Sequence, residues 1–194
     1  MFDLTGKVAL VTGSSQGLGA AIARCMADAG ADVVINYVSE SSKEKAEKAA
    51  EYVRGKGKTA LVIQADVSKE EAVSAMMDAI VQKFGRLDIL VNNAGINSNH
   101  NIDDLTFEEW HRVLNTDIDS GFLCSKYAVP IMRKQKHGRI IMISSMVGQQ
   151  GALFGQVHYA SAKAAQQGFA RTLARSVALD GITVNCVAPG THMT

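Results

Sequence analysis

The chain has 194 residues, 47% of them hydrophobic and 20% charged, with a formal net charge of +1. That length supports one well-buried domain and is short for two, and the composition is ordinary for a globular protein and argues against disorder. Scattered Lys and Arg leave no basic stripe for nucleic acid and no polybasic cluster for membranes, so small molecules are the expected partners.

In chain order, short apolar β-branched runs alternate with helical segments. The runs are "KVALVT" from Lys7, "DVVINY" from Asp32, "TALVIQ" from Thr59, "LDILVNN" from Leu87, "GRIIMISS" from Gly138 and "ITVNCVAP" from Ile182. Between them, residues 18–29 carry apolar positions at helical spacing, and the charged stretch from Ser39 reads as a helix that Gly55 stops. The segment from Ser68 opens with Ser68 as N-cap and Glu71 completing a capping box, and the one from Thr106 does so with Thr106 and Glu109. This second helix is long enough to need an irregularity near Ser120-Gly121, and the helix holding "HYASAK" runs to about Leu179. Such alternation predicts βαβ units in a Rossmann-type, doubly wound parallel sheet with three α/β/α layers. Ligands of that architecture bind beyond the carboxyl ends of the strands.

Cys25, Cys124 and Cys186 are an odd, widely spaced set without a CxxC, each in an apolar stretch, so they read as reduced core thiols and no metal site is expected. The start "MFDLTGKVALVTG" lacks the pattern of a signal peptide, and no apolar run approaches the roughly 18 residues of a membrane span. A soluble, cytoplasmic protein is expected.

Four motifs carry chemistry. "TGSSQGLG", Thr12 to Gly19, follows the first strand and opens the first helix, the context of a phosphate-binding turn. Gly13, Gly17 and Gly19 would supply the tight turn, the close backbone approach and the close helix packing. "NNAG", Asn92 to Gly95, ends the fourth strand and "ISS", Ile143 to Ser145, ends the fifth, so both point to the edge that holds the glycine turn. In "HYASAK" Tyr159 and Lys163 lie four positions apart, and residues so spaced on a helix have Cβ atoms roughly 5–6 Å apart. The pair reads either as a surface tyrosine beside a solvated lysine or as a phenol whose pKa a neighbouring ammonium lowers toward neutrality. His158 beside it reads as a packing or surface residue, or as a substrate contact.

The ordered set TGSSQGLG, NNAG, Asn115, Ser145, YASAK and Pro189-Gly190 resembles the short-chain dehydrogenase/reductase family over essentially the whole chain, and is similar to its 3-oxoacyl-carrier-protein reductases and glucose 1-dehydrogenases. The resemblance implies hydride transfer between a nicotinamide cofactor and a secondary alcohol or ketone, such as a 3-oxoacyl thioester or a sugar. It makes Tyr159 the general acid/base, with Lys163 lowering its pKa and holding the cofactor ribose. Ser145 would bond the substrate oxygen, with Ser144 the competing serine, and Asn115 would hold a water in the proton relay from Lys163. Ser145 lies 14 residues before Tyr159, one more than in many members, which places an inserted residue in "GQQGALFGQ". The cofactor site would take Gly13, Ser15, Gln16, Gly17, Leu18 and Gly19 from the turn and Asn36, Tyr37 and Ser39 from the end of the second strand. Asp66 and Val67 would meet the adenine, and Asn92, Asn93, Ala94 and Gly95 the adenosine ribose side. Tyr159, Lys163, Pro189, Gly190 and Thr194 would complete it, with Thr194 at the carboxamide.

A carboxylate at the end of the second strand would select NAD, whereas a cation there favours the 2′-phosphate of NADP. Asn36 occupies that position and repels no phosphate, and Ser39, Ser41 and Lys43 stand near to bind one, so NADP(H) is favoured over NAD(H) with dual use open. The resemblance also implies a homo-oligomer, tetramer or dimer, in which the long helix and the YASAK helix form one face. Members usually continue past this point with a seventh strand, so residues 1–194 read as a single NAD(P)-binding domain lacking that strand, C-terminally truncated, with "ITVNCVA" an exposed apolar edge. The alternative function is a nucleotide-binding regulatory protein without useful catalysis.

Overall fold

A computed structural model of the chain describes residues 2–153 and 155–190. The six apolar runs form strands β1 (Val8–Val11), β2 (Asp32–Tyr37), β3 (Ala60–Gln64), β4 (Ile89–Asn92), β5 (Gly138–Ile143) and β6 (Ile182–Val187), all parallel in the order β3-β2-β1-β4-β5-β6. Among the described residues seven α-helices accompany them: α1 (Gly17–Asp28), α2 (Lys43–Gly55), α3 (Glu70–Phe84), α4 (Phe107–Leu114), α5 (Ser120–Gln135), the short α6 (Val147–Gln150) and α7 (Val157–Val177).

Strand β1 shows why both faces of the sheet must be covered. Val8 and Leu10 point into a core shared with α3, α5 and α7, while Ala9 and Val11 point into a second core shared with α1 and α2. All four are buried, so a run of continuous apolar residues is the only sequence the strand tolerates. The architecture is the predicted three-layer doubly wound sheet, and six strands are present among the described residues. Chain direction across the sheet reverses between β1 and β4, and the carboxyl ends of that pair open the crevice where such folds bind ligands.

Three local expectations change. Ser68 does not cap α3: its hydroxyl and its backbone N–H both donate to Oδ1 of Asp66, at 2.7 and 3.0 Å, and the N-cap position falls to Lys69. An Asp two residues earlier competes for the serine, as short polar side chains do in turns. Thr106 caps α4 by accepting the Glu109 N–H at 3.1 Å, but the Glu109 carboxylate turns to Arg112 and Ser98 and does not close the box. The irregularity of the long helix lies at Asn115–Asp119, just ahead of the predicted Ser120-Gly121, as a π-turn in which the Ser120 N–H reaches back to the Asn115 carbonyl. Strand β6 is at the sheet edge as expected, yet it is not uniformly apolar: Ile182 and Val184 are buried, whereas Thr183 and Asn185 face outward.

Candidate active site

The glycine turn is fastened to the sheet by polar side chains. Ser14 donates its hydroxyl to the Val11 carbonyl at 2.7 Å and accepts the Asn36 N–H at 3.1 Å. Asn36 accepts the Gly13 N–H at 3.0 Å and donates to the Ala65 carbonyl at 3.0 Å, so this buried amide braces β1, β2 and the segment after β3. It therefore faces inward and anchors the turn, although its residue still forms part of the cavity wall. Thr12 lays "NNAG" beside the turn by accepting the N–H groups of Asn93 and Ala94 at 3.0 and 2.9 Å. A side chain at Gly19 would put Cβ 2.5 Å from both the Asn93 amide and the Gly13 carbonyl, so this contact requires glycine.

The resulting cavity, about 700 Å³, runs from the turn past Tyr37 to Asp66 and Val67, and back to Asn93, Ala94 and Gly95. Helix α1 opens onto it with no side-chain cap and no acid in its first turn, so its N-terminal N–H groups suit an anion such as a pyrophosphate. These features fit a dinucleotide. A second cavity of about 220 Å³ holds Ser145, Tyr159, Lys163, Pro189 and Gly190 and shares Leu18, Asn93, Gly95 and Ile96 with the first. Nearly every residue expected at the cofactor is thus at one crevice.

Some expected residues are elsewhere. Ser39 bonds to Ser41 and Ser42 at 2.8 and 3.0 Å outside the cavity wall, and Asn92 is buried with its amide donating to Ser125 and Met142. Lys43 is paired with Glu40 at 2.9 Å, whereas Lys45, which the sequence did not single out, donates to Gln16 of the glycine turn at 2.7 Å. Thr194 lies outside the described residues.

Of the two serines, Ser144 is buried and bound to the Lys163 carbonyl at 2.7 Å, which leaves Ser145 facing the second cavity and acting on the Tyr159 phenol as a hydrogen-bond partner. Tyr159 does not have the lowered pKa expected of it. Burial raises it above the ordinary phenol value, the negative charge of Asp117 raises it further, and Ser145 offsets only part. The Lys163 ammonium lies 5.3 Å from the centre of the tyrosine ring, but it donates to the Ile143 carbonyl at 3.0 Å and pairs with Asp117 Oδ2 at 3.1 Å, so a carboxylate offsets its charge beside the phenol.

Asp117 is the functional-site residue that sequence reasoning missed. The structure brings Asp117, not Asn115, to Lys163: Asn115 is exposed at the rim of the nucleotide cavity, with its amide bonded to the His111 carbonyl at 3.2 Å and Asp119 at 2.9 Å. The wide π-turn rotates the two side chains apart. A signal was present, because Val113, Asp117, Ser120 and Cys124 fall on one helical stripe that is buried, and an acid on such a stripe is unusual. His158 has the packing role: it is buried, with Nε2 2.9 Å from the Ser98 hydroxyl.

A crevice at the switch point, a glycine-lined anion site and a tyrosine–serine–lysine group beside it define a dinucleotide-dependent oxidoreductase. Residues 7–194 match the family model described as short chain dehydrogenase, and the chain belongs to that family. It is 44% identical over 184 residues to the 3-oxoacyl-[acyl-carrier-protein] reductase of Staphylococcus aureus, covering 95% of this chain and 74% of the relative. Among solved structures, a Sinorhizobium meliloti protein described as a short-chain alcohol dehydrogenase superposes with a TM-score of 0.94 at 33% identity, covering 100% of this chain and 75% of that one. An NAD⁺-bound xylitol dehydrogenase gives 0.92 at 34% identity, covering 96% and 71%. The chain is a nicotinamide-dependent oxidoreductase of secondary alcohols and ketones.

Proposed function

We propose that Tyr159 is the proton donor to the substrate oxygen, that Ser145 holds this oxygen by a hydrogen bond, and that Lys163 orders the floor of the site. The observation that carries the reading is the small cavity in which Tyr159, Ser145 and Lys163 meet, which shares Leu18, Asn93, Gly95 and Ile96 with the nucleotide cavity. The nicotinamide, when bound, supplies or accepts the hydride. A carbonyl that gains a hydride becomes an alkoxide, which needs a positioned proton and a fixed hydrogen bond. A phenol whose pKa is raised is protonated at neutral pH and so is ready to give its proton in the direction of reduction. A 3-oxoacyl thioester is the substrate class that fits the staphylococcal relative, and the sugar-type alcohol of the xylitol enzyme is the second.

NADP(H) is the favoured cofactor in this reading, since Lys45 stands against the glycine turn, Ser42 lines the nucleotide cavity, and residues 36–39 at the carboxyl end of β2 include no carboxylate. The remaining cofactor contacts are those of Gly13 to Gly19, Tyr37, Asp66, Val67, Asn93 to Gly95, Pro189 and Gly190 around the two cavities. Asn115 belongs in this reading to the nucleotide rim. One domain, a cytoplasmic location and a homo-oligomer complete the proposal. Free Cys25, Cys124 and Cys186 support the second, and exposed Phe107 and Phe122 on the long helix with Val157 on α7 support the third. Among the described residues no helix is long and apolar enough to cross a membrane.

Tyr159→Phe should lower kcat by about 10²–10⁴-fold, the usual worth of a general acid, and leave the Kd for NADPH unchanged. The check is steady-state reduction of a 3-oxoacyl thioester alongside a fluorescence titration with NADPH. Undiminished turnover would remove Tyr159 from the chemistry.

A further inference from the structure

We propose that Asp117 is a positioning residue of the reaction: its buried carboxylate holds the Lys163 ammonium on the pocket floor and withdraws that positive charge from the Tyr159 phenol. The inference rests on Tyr159 being the proton donor and concerns what tunes it.

Three separate parts of the chain build the pair. The π-turn supplies Asp117, whose side chain is 0% exposed, and α7 supplies Lys163, 4% exposed, with Oδ2 and Nζ 3.1 Å apart. The loop after β4 supplies the Ile96 N–H, which donates to Asp117 Oδ1 at 2.7 Å. From α7 again, the Gln166 amide donates to the Asp117 carbonyl at 2.6 Å and fixes its backbone. Even the neighbouring glycine fits this arrangement: a Cβ on Gly95 would lie 2.9 Å from Oδ2 and 3.3 Å from Nζ. Oδ2 has no hydrogen-bond partner among the described residues, so the ammonium is what compensates it, and a buried carboxylate without compensation is strongly disfavoured.

The consequence for Tyr159 follows from which charges face it. Burial raises the Tyr159 phenol most, the Asp117 charge raises it further and a hydrogen bond with Ser145 lowers it, while the Lys163 ammonium, 5.3 Å from the ring centre, is paired with Asp117. Asp117 in turn faces Lys163 and His158 on α7 and Arg112 on α4, and His158 feels Glu109, His100 and Arg112. Burial raises the Asp117 carboxyl above its ordinary value and Lys163 opposes that rise. Above the Asp117 pKa the pair is neutral overall and Tyr159 remains a proton donor. Once Asp117 carries no charge, Lys163 acts on the phenol alone and favours phenolate.

The test is the phenolate titration of Tyr159, read as the near-ultraviolet absorbance difference between each chain and the same chain carrying Tyr159→Phe. Asp117→Asn should move the midpoint downward by about one to three pH units, the range for a phenol newly exposed to an opposite charge. The basic limb of the pH profile of kcat/KM should move with it. Because Asp117→Asn leaves Lys163 without its counter-ion and risks folding, the double variant Asp117→Asn with Lys163→Met is the second arm. With both charges gone its midpoint should be at or below that of the parent chain. An unmoved midpoint in Asp117→Asn, or a double variant titrating well above the parent, would overturn the proposal. If the titration shifts as expected while no chain turns over any ketone, the counter-ion role holds and the assignment of Tyr159 as donor fails instead.

Discussion

Asp88 shows how much one residue can fix. Its side chain is 0% exposed, yet it accepts the Val8 N–H at 3.0 Å and two bonds from Arg86 at 2.7 and 2.6 Å, with Lys7 at 3.6 Å. Burial alone would raise its pKa, but Arg86, the Val8 N–H and Lys7 outweigh burial and hold it below the usual carboxylate range. Because the folded value is depressed, the stability it contributes is present above the unfolded pKa of about 3.9 and is lost as pH falls through the folded value. Asp88→Asn should therefore cost about 1–3 kcal/mol at neutral pH, the cost of leaving buried donors unsatisfied. Urea denaturation at neutral pH and again below pH 4 should show the gap between variant and parent shrinking in acid. The same scale marks the limit of sequence reading. Tyr159, Ser145 and Lys163 were legible because their motif is local, and Asp117 was not, because its role depends on a π-turn and on Ile96 and Lys163 arriving from distant segments.

At the scale of elements, the strands were legible because each is a short apolar run, and the central β1 and β4 are buried on both faces, which leaves the sequence little choice. Helix starts were less so, since capping is a competition that neighbours decide. Ser68 lost to Asp66, whereas Thr106 kept its role. Helix α4 has only 8 residues and a single buried side chain, Val113, so its first turn depends on that cap more than a deeply packed helix would. Thr106→Ala should cost about 1 kcal/mol, while Thr106→Ser should recover most of it, since serine offers the same acceptor. Chemical denaturation of the three chains checks this, and equal stability of all three would show that the Glu109 pairs with Arg112 and Ser98 hold the turn without the cap.

For the whole molecule, the order β3-β2-β1-β4-β5-β6 places the glycine turn after β1 and "NNAG" after β4 on adjacent strands, although about 80 residues separate them in the chain. A bound nucleotide would touch both halves of the sheet, so its binding energy should appear as stability of the entire fold. At roughly 100 times Kd, NADPH should stabilise the chain by about 2.7 kcal/mol, raising the unfolding temperature by scanning calorimetry. NADPH should raise it more than NADH at equal concentration, since Lys45 at the glycine turn and Ser42 in the cavity wall offer a phosphate more than they offer a hydroxyl. Gly19→Ala should abolish the shift with either nucleotide, because the added methyl collides with the Gly13 carbonyl and the Asn93 amide that shape the turn. A larger shift with NADH would reverse the assignment of Lys45. A full NADPH shift in Gly19→Ala would mean that the turn adjusts around the methyl and that the close approach at Gly19 is not what shapes the site.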